Sequence, residues 1–144
     1  MTEESSTVHD RLSLVVMLAP LALVRLAAEE VVPGWAAQAQ SFLSITRTPY
    51  ELSIVVDERA VPPHVQAARK YRALRVEGPL PLELVGVLAA VAGPLAAAGV
   101  PIFAIATFDT DYILVRQGVL AHAVTTLRMA GHTVRGEASA EPVP

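Results

Sequence analysis

The sequence predicts an α+β fold of two small tandem units, each with an antiparallel sheet and helices on one face. Three observations carry this reading. The apolar runs are short and bounded by turn residues; four of them pair off around four-residue turns; and the pattern recurs along the chain at an offset of 60 residues.

Taken in order, Leu21–Leu26 reads as a strand. A short helix, about Pro33–Gln40, follows, with proline in its first turn where the missing N–H does no harm. Phe42–Thr46 and Leu52–Val56 form a hairpin around Arg47-Thr48-Pro49-Tyr50. Ala73–Val76 opens the second round, and Gly86–Ala98 is its helix, ending at Gly99 where a left-handed cap is expected. Pro94 lies inside that helix and removes a backbone hydrogen bond, so a kink or a late second turn is expected there. Ile102–Thr107 and Tyr112–Val115 make the second hairpin. Val119–Ala130 carries Leu120, Ala123, Val124, Leu127 and Ala130 on one face, as an amphipathic helix should.

At the 60-residue offset, Leu43-Ser44-Ile45 matches Phe103-Ala104-Ile105, and Glu51 matches Asp111. The plan is thus strand–helix–strand–strand, twice, with a second helix clear only in the C-terminal copy; residues 60–70 are too polar and proline-rich to supply one in the first. This is the pattern of two fused ferredoxin-like units. The expected division is an N-terminal unit over 12–68, a C-terminal unit over 69–135, and flexible tails at 1–11 and 136–144.

Composition excludes several classes. Hydrophobic residues make up 53% of the 144, and charged residues 17%, which is incompatible with disorder over most of the chain. Two stretches invite a membrane reading, and both fail. Leu12–Val24 is shorter than the roughly 20 residues a bilayer requires and contains Pro20, and Leu80–Ala106 is interrupted by Pro81, Gly86, Gly93, Pro94, Gly99 and Pro101. Met1–Asp10 holds three acids and lacks the basic start of a signal peptide. A soluble, cytoplasmic protein is therefore expected, with no membrane partner. Eleven basic and 14 acidic side chains give a net charge of −3, with no global attraction to nucleic acid. The basic stretch Arg59–Arg75 reads as a solvated linker. Cysteine is absent, which removes disulfides, thiolate metal sites and a thiol nucleophile. The histidines, His9, His64, His122 and His132, show no metal-binding spacing, and no phosphate loop, nucleophile elbow or zinc-protease motif occurs. No cofactor, metal or catalytic group is expected, so the chain is not predicted to be an enzyme.

Several strings together resemble the ACT-domain family of small amino-acid sensors: Gly78-Pro79-Leu80-Pro81, Gly86-Val87-Leu88, Pro94-Leu95-Ala96, and above all the run from Gly99 to Val115. Phe42–Thr48 and Glu51–Val55 are similar to the first half of the tandem-ACT branch, which includes aspartokinase regulatory domains and the cytosolic arginine sensors of animals. The resemblance spans about Leu21–Gly131 and implies βαββαβ units that bind a free amino acid between ACT units without catalysis; because units of about 60 residues usually need fusion or dimerisation to be stable, a homodimer is expected. It implies one pocket wall at Leu82–Leu88 and another at Ala106–Asp111. The residues put forward for binding are Leu84, Val85, Gly86, Val87, Thr107, Phe108, Asp109 and Asp111. Of these, Gly86 would let a ligand approach the backbone, the helix start would take an α-carboxylate, an aspartate would pair with the ammonium, and Phe108 would cover the side chain. Arginine-binding relatives have two adjacent acids where this chain has Glu83 and Leu84, so a neutral or apolar amino acid is at least as good a fit as arginine. The first unit has Glu29-Glu30-Val31-Val32-Pro33-Gly34 in place of a glycine-led helix start, so its own site is expected to be degenerate. The competing expectation is a scaffold of the same fold that binds no ligand, its pocket filled by Leu82, Leu84 and Val85.

Overall fold

The computed structural model describes residues 11–136. The tails expected over 1–10 and 137–144, and His9, lie outside the described residues. Arg11 and Gly136 lie within them, and Gly136 is the last residue of a strand rather than part of a tail. The chain divides into two compact units that are not consecutive segments. One is Ala19–Tyr71; the other takes the described residues up to Leu18 together with those from Arg72 onward.

The N-terminal unit contains strands β2 (Leu21–Leu26), β3 (Leu43–Arg47), β4 (Leu52–Asp57) and the first part of β5 (Ala68–Val76) in the order β3-β4-β2-β5. All these pairings are antiparallel, with Arg47 opposite Leu52 closing the hairpin and Leu26 opposite Leu52 on the other side. Alternation turns Leu52, Ile54 and Val56 into one core with Ala22, Val24 and Val61, against which Trp35 and Val65 pack.

The helix expected at Pro33–Gln40 is a five-residue 3-10 helix, Gly34–Gln38. Asp57 accounts for its shortness. This carboxylate, 1% exposed, accepts the backbone N–H groups of Gln40, Ser41 and Phe42 at 2.8–3.3 Å. Those donors are therefore committed to a side chain and cannot extend a helical ladder. The basic stretch is only partly a linker. From Ala68 it is strand β5, and the Arg69 guanidinium donates to the carbonyls of Pro62 and Val65 at 2.9 and 3.0 Å.

The C-terminal unit contains β1 (Ser13–Val16), the rest of β5, α1 (Val87–Ala97), β6 (Phe103–Ala106), β7 (Asp111–Arg116), α2 (Leu120–Met129) and β8 (Thr133–Gly136). Its strands follow the order β8-β1-β5-β7-β6. β1 runs antiparallel to β5 and parallel to β8. Both α1 and α2 cover a core that includes Leu14, Leu74, Val76, Val91, Leu95, Ile113, Val115 and Leu127. α1 continues through Pro94 to Ala97, and Gly99, at φ +77°, ends it with Val100 N–H donating back to Leu95 at 2.9 Å. β1, placed with the N-terminal unit by the expected boundary at residue 68, belongs to this unit.

The hairpin registers correct the repeat. Arg47 pairs with Leu52, and Ala106 with Asp111, so the loops are residues 48–51 and 107–110. Thr48 N–H donates to Glu51 O at 2.9 Å, and Thr107 N–H to Thr110 O at 2.8 Å, the same bond in both copies. The structural offset is 59, not 60. It sets Ile54 and Val56 against Ile113 and Val115, each in the core cluster of its unit, whereas an offset of 60 would match residues on opposite faces of their strands. Glu51 therefore corresponds to Thr110, and Asp111 corresponds to Leu52, which is completely buried.

Candidate functional site

The β6–β7 turn is built to be rigid. Besides the Thr107–Thr110 backbone bond, the Thr107 hydroxyl donates to Thr110 O at 3.0 Å and accepts from Thr110 N–H at 3.3 Å. The Thr110 hydroxyl, buried, donates to Val76 O at 2.6 Å, tying the turn to β5. Phe108 projects from the tip and is 78% exposed.

The facing wall is the segment before α1. Leu80 N–H donates to Asp109 O at 2.8 Å, which joins the two walls directly. Gly78 makes this approach possible, because a Cβ there would lie 2.9 Å from Leu80 N and 3.1 Å from Asp109 O. A turn closed by Leu84 N–H on Pro81 O at 3.1 Å leads to Gly86, which stands at the N-cap of α1 with φ +88°, a conformation glycine adopts without strain. No side chain caps α1, so its first N–H groups remain available as donors at the positive end of the helix dipole.

Between these walls is a cavity of about 220 Å³. Of the eight residues put forward from the sequence, Leu84, Val87, Thr107, Phe108, Asp109 and Asp111 line it. Gly86 shapes the start of α1 and does not line the cavity, and Val85 is 63% exposed. Leu80, Pro81, Leu82, Ala106 and Thr110 also line it and were not singled out as binding residues. Leu82, Ala106 and Thr110 fall within the two expected walls. Leu80 and Pro81 belong to the Gly78–Pro81 string, whose tie to the turn through backbone groups leaves no mark in side-chain pattern.

The lining mixes apolar side chains with two threonines and two carboxylates, and holds no basic side chain. Asp111 is the informative group. Burial pushes its carboxyl above the ordinary aspartate range. It begins β7 facing inward, where the N-terminal unit has Leu52. No group of three or more His, Asp or Glu arranged for a metal ion occurs among the described residues. No helix there is long and apolar enough to cross a membrane.

The ACT-domain family model matches residues 66–129, and a second model, of an N-terminal domain, matches residues 21–64. A structural-genomics protein from Agrobacterium tumefaciens is 33% identical over 92% of this chain and 98% of its own, with a TM-score of 0.84. The chain belongs to the ACT-domain family. A protein of unknown function from Vibrio cholerae shares the fold at 19% identity, covering 84% of this chain and 91% of its own, with a TM-score of 0.68. So does the regulatory subunit of aspartate kinase from Thermus thermophilus, at 16% identity, 78% and 92% coverage and a TM-score of 0.51. No curated protein gave a match. The ACT fold accounts for the C-terminal βαββαβ arrangement, with β1 intercalated between β5 and β8.

Proposed function

We propose that this ACT-family protein is a non-catalytic regulatory module of the cytoplasm that binds a free amino acid, with a neutral or apolar side chain, in the cavity between α1 and the β6–β7 turn. A second copy of the C-terminal unit completes the site, so the working form is a homodimer. The observation that carries the reading is Asp111: a partly dehydrated carboxylate occupies an inward strand position that the sister unit fills with leucine. A dehydrated carboxylate gains most from an arriving ammonium. The α-carboxylate then falls to the uncapped N–H groups of α1, and the side chain to Phe108 and Leu84. The absence of a basic residue from the lining argues against acidic ligands, and the single acid at Glu83-Leu84 against arginine. Leu82 and Leu84 border the cavity without filling it, which favours binding over the ligand-free scaffold.

The test is a thermal-shift screen against the twenty amino acids, combined with sedimentation. A ligand at about 100 times its Kd adds about 2.7 kcal/mol. The expected result is one hit that also favours the dimer, is abolished by Asp111→Ala, and weakens as pH falls. The sign follows from the raised carboxyl: acid protonates Asp111 earlier than an ordinary aspartate and removes the charge that holds the ammonium. No shift with any amino acid would sink the reading in favour of the scaffold.

A further inference from the structure

His132 is 5% exposed and takes no part in the cavity. Its ring lies between two backbone groups. Leu12 N–H donates to Nδ1 at 3.0 Å in a buried setting, and Nε2 is 2.9 Å from the Ala90 carbonyl oxygen. A backbone N–H only donates, so Nδ1 carries no proton; a carbonyl only accepts, so Nε2 carries it. The neutral Nε2–H tautomer is the one form that satisfies both partners. The Ala90 carbonyl is available because Pro94, four residues on, has no N–H to give it. His132 supplies the missing donor. One imidazole thus joins the residue leading into β1, the middle of α1 and the residue preceding β8.

We propose that His132 is a proton-sensitive latch of the C-terminal unit. Protonation at Nδ1 sets two donors against each other across 3.0 Å, leaves the buried Leu12 N–H without an acceptor, and releases α1, whose first residue, Val87, lines the cavity. The surrounding charges do not offset this. Arg11 lies against Gly131, Arg128 donates to Val134 O at 2.7 Å, and α1 carries no titratable side chain. On α2, His122 Nε2 is 3.4 Å from Ala98 O, and Glu77 is paired with Arg135 at 2.5 Å. Among the described residues no carboxylate pairs with the ring. The latch concerns the stability of the unit and stands independently of any ligand.

Thermal unfolding of the full chain between pH 8 and pH 5 tests it, comparing the wild type with His132→Gln. Glutamine offers a carbonyl to Leu12 and an N–H to Ala90 and does not titrate. The latch is present while the ring is neutral and is lost as acid charges it. The wild-type Tm is expected to fall more steeply than that of the variant, by about 3–6 °C per pH unit in that window. The other histidines contribute alike to both proteins, and protonating Asp111 acts in the opposite sense, so neither can imitate the difference. Parallel profiles would overturn the proposal. If the variant does not fold, NMR of the wild type decides: the Leu12 amide resonance must move with the His132 ring titration, and an amide that ignores it overturns the latch.

Discussion

Asp57 buries a carboxylate, with no ion pair among the described residues, by aiming it at three consecutive backbone N–H groups. Hydrogen bonds to a charged group are worth about 1.5–3 kcal/mol each, and a buried donor left unpaired carries a penalty of similar size. Asp57→Asn keeps the shape but replaces one acceptor oxygen with a donor that opposes Gln40, Ser41 or Phe42. The expected loss is about 2–3 kcal/mol in urea unfolding, with Asp57→Ala at least as costly. Little of this was legible in the sequence. Asp57 follows the apolar run Leu52–Val56 and resembles any acid at a strand end, because its partners are main-chain groups 15–17 residues away. Asp111 was legible as a candidate, but for the wrong reason. Its match with Glu51 fails at the true offset, and what distinguishes it is the buried leucine in the equivalent place.

The elements that were legible are those whose cause is local. Both hairpins and both helices follow from periodicity and from glycine, since the runs around residues 47–51 and 106–111 and the Ala-Gly ends of α1 and α2 carry their own punctuation. β1 and β8, each four residues long, were not read from residue pattern. β1 is absorbed in the apolar stretch 12–24, and its partners lie about 60 and 120 residues away, beyond the reach of any window. Two glycine substitutions, one in α1 and one in the segment before it, should differ in size. A Cβ on Gly93 meets nothing within 4 Å beyond its chain neighbours, but Pro94 follows it and disfavours helical backbone at a preceding residue that carries a Cβ, so the usual gain of Gly→Ala in a helix is offset and Gly93→Ala should change stability by less than about 0.5 kcal/mol. Gly78→Ala should lower it, because the new Cβ would strike Leu80 N and push apart the walls of the cavity. Urea denaturation of the two variants measures both effects, and a Gly78→Ala variant as stable as the wild type would show that the close approach at Gly78 does not hold the walls together.

At the scale of the molecule, the fold class and the repeat were legible because both rest on order along the chain. The composition of the C-terminal unit was not, since it takes a strand from the residues that precede the other unit in sequence. That arrangement has a direct consequence. A fragment running from Arg72 to Gly136 contains every element of a βαββαβ unit, yet it lacks the strand that stands between β5 and β8. It also lacks Leu12 and Leu14, which are 8% and 0% exposed in its core, together with the Leu12 N–H that fixes His132. Each leucine contributes about 1.5–3 kcal/mol by burial, and β5 and β8 would in addition lose the backbone ladder each forms with β1. That sum is comparable with the whole stability of a domain this size. The fragment is therefore expected to be unfolded or aggregated by circular dichroism and NMR, and a fragment carrying residues 11–18 joined by a flexible linker to residue 72 is expected to recover dispersed amide resonances. A fully folded Arg72–Gly136 fragment would mean that β8 can close directly on β5, and that β1 is dispensable to the unit it now completes.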